Sequence, residues 1–183
     1  MTTKTKRFET RQLVYIALMA ALIAACAWIS IPIPSTTIKI TLQLFGVFCA
    51  LELLGGMNGT IAILVYVALG AIGAPVFSGF GGGFSHLVGP SGGCIIGFIF
   101  TGLSYWGITH LLGKSTAVRI LAMLVGNIVC YAFGTGWYMI AVHSTDLRAA
   151  LAACVLPFIV FDLLKIAWAY IFSKMLRDRL HWN

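Results

Sequence analysis

Acidic side chains are scarce: five Asp and Glu stand against twelve Lys and Arg in 183 residues, and charged residues make up only 9% of the chain. A soluble domain carries roughly a quarter charged residues, so this scarcity excludes an ordinary water-facing fold. Cysteines number five, at 26, 49, 94, 130 and 154. Most lie within apolar runs and none forms a CxxC pair, so neither a disulfide framework nor a metal site follows. His86, His110 and His143 stand apart from one another, and no metal or proton role is assigned to them. A nucleotide site is also missing. Gly113-Lys114-Ser115 has the look of a P-loop tail, but Ile108 occupies the place of the required first glycine and no strand precedes it.

What the chain has in abundance is apolar sequence, 60% of its residues, with a mean hydropathy of +0.99. This predicts an all-α membrane protein of six transmembrane helices, since spans of about 20 residues use up most of the length. One membrane domain, residues 1–183, is expected. Nine of the twelve basic residues fall in three places: Lys4, Lys6, Arg7 and Arg11; Lys114 and Arg119; and Lys174, Arg177 and Arg179. With six spans all three lie on one side, which the positive-inside rule makes cytoplasmic. Residues 1–11 and 174–183 are then cytoplasmic, and the net charge of +7 reflects topology rather than a nucleic-acid partner.

The expected spans are 12–31, 41–54, a third closing at Gly73-Ala74-Pro75, then 93–112, 120–142 and 151–173. Ile23-Ala24-Ala25-Cys26 imitates a lipoprotein processing site, but the apolar run continues to Ile31 and the other spans need this helix as a partner. Ala17, Ala21 and Ala25 recur every four residues and form a smooth face. Small residues at that spacing let another helix approach closely, either inside the bundle or from another subunit. Gly55-Gly56-Met57-Asn58-Gly59 is a turn between the second and third spans.

Between the third and fourth spans lies GFGGGFSHLVGPSGG, residues 79–93. It has no charge and lacks the caps and periodicity of a helix. Irregular backbone at the membrane edge is tolerated where protein covers it or where it lines a cavity, and glycine admits close approach of a guest. The run is therefore expected to be the lid and wall of a ligand pocket, with Gly81, Gly82, Ser91 and the rings of Phe77, Phe80 and Phe84 near the guest.

Asp162 and Lys165 carry the clearest chemistry. Two opposite charges within an apolar helix are costly unless paired or hydrated. At i and i+3 they share a face, about 12 to 18 Å below the outer end at 1.5 Å per residue. Either they floor an outward-opening pocket or they brace the bundle. Asn127, Tyr131 and Thr135 share a face of the fifth span, which serves equally as a ligand face or a hydrogen-bonded seam. Gln43 could reach the pocket mouth. Glu52, near the opposite end, is expected to snorkel or meet a partner.

Taken together, Ile31-Pro32-Ile33-Pro34, Ile40-Thr41-Leu42-Gln43, Leu69 to Phe77, Gly89-Pro90-Ser91-Gly92-Gly93 and Asp162-x-x-Lys165 resemble the BioY-like biotin-specific S components of energy-coupling factor (ECF) vitamin transporters. The resemblance covers about residues 13 to 173. It implies a biotin-capturing subunit that docks on a membrane coupling protein with two ATPase subunits, with the Ala17, Ala21 and Ala25 face as the docking surface. It implies no cofactor. Asp162 would accept from a ureido N–H of biotin and Lys165 would donate to a ligand oxygen, with Tyr131 and Trp137 as further apolar surface. The chain departs from the family's usual residues at Phe161, Gly81, Cys94 and Ile95, which leaves the carboxylate of the ligand to backbone amides of the glycine run or to water. Other readings are an S component for a different vitamin, a stand-alone secondary transporter of a small carboxylate, which would show inverted repeats, and an intramembrane hydrolase, which would need a second acid beside Asp162.

Overall fold

The structure, a computed structural model, describes residues 9–32 and 38–180. Expectations placed on Lys4, Lys6, Arg7, Ile33, Pro34, residues 35–37 and the last three residues lie outside the described residues. The elements run α1 (Thr10–Trp28), β1 (Ser30–Ile31), β2 (Ile40–Thr41), α2 (Gln43–Ala71), α3 (Phe84–Val88), α4 (Gly92–Leu112), α5 (Thr116–Ala141), α6 (Leu147–Cys154) and α7 (Ile159–Leu180). Among the described residues four helices, α1, α2, α4 and α5, are long and apolar enough to cross a membrane, and α6 with α7 makes a fifth span if counted together.

The turn expected at Gly55 divides α2. Gly55 sits at φ 79, ψ 169 inside the assigned helix, a left-handed backbone that glycine adopts without a Cβ clash. There the chain doubles back: a Cβ on Gly59 would lie 2.7 Å from the Leu51 Cα, a contact impossible eight residues along a straight helix. At the far end of this hairpin the buried Gln43 amide donates to the Tyr66 hydroxyl. The two limbs, 43–54 and 56–71, therefore stand side by side, and both are short.

Three differences from the sequence expectation have local causes. The sixth span is broken: α6 and α7 meet at 40° around Pro157, which lacks an N–H and whose ring clashes with the preceding turn. The Asp146 carboxylate starts α6 by accepting from the amides of Arg148 and Ala149 at 2.9 and 3.3 Å, an N-cap. The glycine run is not wholly irregular, because its glycine-free part, Phe84–Val88, forms α3. Finally, α1 ends at Trp28 and the chain continues into β1, which pairs antiparallel with β2 through Ser30 with Thr41 and Ile31 with Ile40.

Helix α4 packs most intimately on α5, through small residues as expected within lipid. The Thr101 hydroxyl donates to the Gly126 carbonyl across this seam at 2.9 Å, and a Cβ on Gly126 would stand 2.9 Å from the Thr101 methyl. The Gly113-Lys114-Ser115 stretch simply joins these two helices: Gly113 ends α4 at φ 88 and the Ser115 hydroxyl caps α5.

At the end of the bundle that carries the basic residues, Glu52 is 5% exposed. It does not snorkel. Its carboxylate accepts from the Tyr105 hydroxyl at 2.7 Å and pairs with Arg119 at 3.2 Å and Arg177 at 3.3 Å. One acid on the first limb of α2 thus ties together α4, α5 and α7.

Candidate functional site

At the opposite end a small, open-mouthed cavity lies between β2, α2, α4, α5 and α7. Its floor holds the pair singled out in the sequence. Asp162 and Lys165 are 4% and 7% exposed, and the Lys165 ammonium donates to Asp162 Oδ1 at 2.7 Å. The Tyr131 hydroxyl donates to Asp162 Oδ2 at 2.5 Å. The break at Pro157 places Asp162 in the first turn of α7, where the positive end of the helix dipole favours a carboxylate. A buried anion is therefore held by a cation, a phenol and a helix end. Each Asp162 oxygen keeps a further acceptor position, and the Lys165 ammonium keeps donor hydrogens beyond the one given to Asp162.

Asn127 lies one helical turn before Tyr131 and also lines this cavity. Its side-chain oxygen is buried and has no hydrogen-bond partner among the described residues. Buried acceptors are normally paired, so this oxygen is available to a donor in the cavity. The sequence signal that marks it is the same Asn127–Tyr131 face. Thr135, the third member of that face, is buried and lies outside the cavity lining. Gln43 and Ser91 also line the cavity. Ser91 precedes α4 without capping it through its side chain. The apolar walls come from Leu44, Ile95, Phe98 and Phe158, with the thiols of Cys94, Cys130 and Cys154 among them. Soft sulfur is well suited to an apolar or thioether guest.

The glycine run stands differently from expectation. Phe77, Gly81, Gly82 and Phe84 are not among the residues lining the cavity, whereas Ser78 is. Phe77 is fully buried. Its ring packs edge-on against Tyr66 at 5.7 Å and over Gly70, where any Cβ would strike it. Its backbone pairs with Gly81. Phe77 thus anchors the loop to α2 from beneath, while Phe84 is exposed. A second anchor comes from α1: the Trp28 indole N–H donates to the Pro75 carbonyl at 2.9 Å, and its ring stacks on Phe80 with centroids 5.1 Å apart. Phe80 itself adopts φ 58, a backbone state uncommon outside glycine. Trp137 donates to the Gly89 carbonyl at 3.2 Å, so it fastens the far end of the loop.

Ala17, Ala21 and Ala25 are all exposed along α1, and the interior of the bundle is packed by the opposite face, through Ile16, Met19, Ala20, Ile23 and Ala27.

A solved structure described as the S-component for biotin from an ECF-type ABC transporter superposes with a TM-score of 0.84, at 28% identity, covering 100% of both chains. The biotin transporter BioY of Thermotoga maritima is 39% identical over 167 residues, 91% of this chain and 96% of its own length. The probable biotin transporter BioY of Pyrococcus horikoshii is 39% identical over 170 residues, 92% of this chain and 98% of its own. The family model described as the BioY family matches residues 1–181. With that span and these relatives, the chain belongs to the BioY family.

Proposed function

We propose that this chain is the biotin-binding subunit of an ECF-type vitamin uptake transporter. The observation that carries the reading is the buried Asp162–Lys165 couple, oriented by Tyr131, at the floor of a cavity with apolar and thiol-lined walls. Such a floor suits a neutral heterocycle bearing both donors and an acceptor. The ureido ring of biotin offers two N–H groups and one carbonyl. Asp162 and the Asn127 oxygen accept from the N–H groups, and Lys165 donates to the carbonyl. The thioether ring lies against the thiols and Phe98.

The chain is a multi-pass membrane protein. We read it as one membrane domain with six crossings, counting the two limbs of α2 separately and α6 with α7 as one. Both termini are then on the cytoplasmic side, as the basic residues favour, and the cavity opens outward. The loop between the second limb of α2 and α4, fastened by Trp28 and Phe77, acts as the lid. The exposed Ala17, Ala21 and Ala25 face receives a membrane coupling subunit that is driven by two ATPases. The chain itself captures and delivers, without catalysing a reaction or hydrolysing ATP.

Equilibrium binding of radiolabelled biotin to the purified chain, together with uptake into vesicles with and without the ATPase module, tests the reading. Tight biotin binding and module-dependent uptake are expected. Uptake driven by an ion gradient alone, or a different vitamin identified by mass spectrometry in the purified protein, would contradict it.

A further inference from the structure

The charges facing the cavity do not balance. Among the described residues its lining carries one carboxylate, Asp162, and two ammonium groups, Lys165 and Lys39. The first two neutralise each other on the floor. Lys39, just before β2, is exposed and makes no ion pair among the described residues. It stands with Ser78 and Ser91, both less buried than the floor residues, so these three mark the mouth.

Gly79 makes room for this ammonium. Its backbone lies at φ 71, and a Cβ there would be only 2.6 Å from the Lys39 nitrogen. Within the glycine run the amides of Gly83, His86, Gly89 and Gly92 are donated to carbonyls, at 2.7 to 3.1 Å, and so do not face an anion at the mouth.

We propose that Lys39 is the cationic partner of a ligand carboxylate at the mouth of the cavity, with Ser78 and Ser91 as accompanying donors. A guest whose neutral polar ring meets Asp162 and Lys165 then presents a short apolar chain along the walls and its anionic end to Lys39. The inference rests on the biotin reading and adds to it the contact that distinguishes the free acid from its neutral derivatives.

The test is equilibrium binding of biotin and of uncharged biotinamide to the full chain and to Lys39→Gln and Lys39→Arg. The wild-type chain should prefer biotin over biotinamide by about tenfold, the weight of a charge-assisted hydrogen bond. Lys39→Gln should lose that preference by weakening biotin alone, and Lys39→Arg should keep most of it. Equal loss for both ligands in Lys39→Gln, or no discrimination by the wild-type chain, would overturn the inference while leaving the biotin reading intact. Failure of the wild-type chain to bind either compound would overturn both. Lys39 is exposed and makes no ion pair among the described residues, so its replacement leaves the fold in place for the comparison.

Discussion

Tyr131 on α5 donates its hydroxyl to Asp162 Oδ2 on α7 at 2.5 Å, joining two helices exactly where the cavity floor lies. With Lys165 on Oδ1, this contact fixes the plane of the carboxylate before any guest arrives. Pre-orientation of this kind lowers the ordering cost of binding. Tyr131→Phe should therefore weaken biotin binding by about three- to tenfold through one lost hydrogen bond, with little change in thermal stability. Isothermal titration of the variant checks this, and wild-type affinity would show that the phenol has no part in positioning Asp162.

Trp28 should govern the exchange of ligand more than the shape of its site, because it touches the loop and is not part of the cavity lining. Losing its hydrogen bond to Pro75 and its stacking on Phe80 removes about 1 kcal/mol for each contact. Trp28→Ala should release biotin about tenfold faster, and Trp28→Phe, which retains the stacking, should fall between. Stopped-flow displacement measures the rates, and identical release from all three proteins contradicts the lid assignment.

Glu52 belongs to the other end of the bundle and should affect stability alone. Glu52→Gln leaves Arg119 and Arg177 without their shared anion and should cost about 1 to 3 kcal/mol. Part of the arginine charge reaches solvent, which limits the loss. The melting temperature in detergent should fall by several degrees while biotin affinity stays within twofold, and a large loss of affinity would couple the two ends.

The α1 face separates binding from transport. Ala21→Trp places a bulky ring in the middle of the exposed alanine stripe. Biotin binding by the isolated chain should be unchanged, and uptake with the ATPase module should fall to background in vesicles. Normal uptake would place the docking surface elsewhere.

Much of this was legible in the residues because lipid leaves few choices. The all-helical, multi-pass character followed from apolar run length, the Gly55 reversal from its glycine pair, and the Asp162–Lys165 couple from the cost of charge in an apolar helix. Three things were not legible. The break at Pro157 sits within an otherwise continuous apolar run, and only the packed structure shows that it begins α7 just ahead of Asp162. Phe77 and Phe84 are equivalent as letters, yet one is buried over Gly70 and the other exposed, a distinction that depends on how the loop folds back. Glu52 is met by Arg119 and Arg177 from 67 and 125 residues away, pairings that no local pattern announces.

The most direct measurement is biotin affinity in Asp162→Asn and in Lys165→Ala, each alongside its melting temperature. If the buried acid and base recognise the heterocycle, each substitution weakens binding by at least about tenfold in a protein that still folds. Wild-type affinity in both variants would mean that the couple only braces α7 and that biotin is held elsewhere.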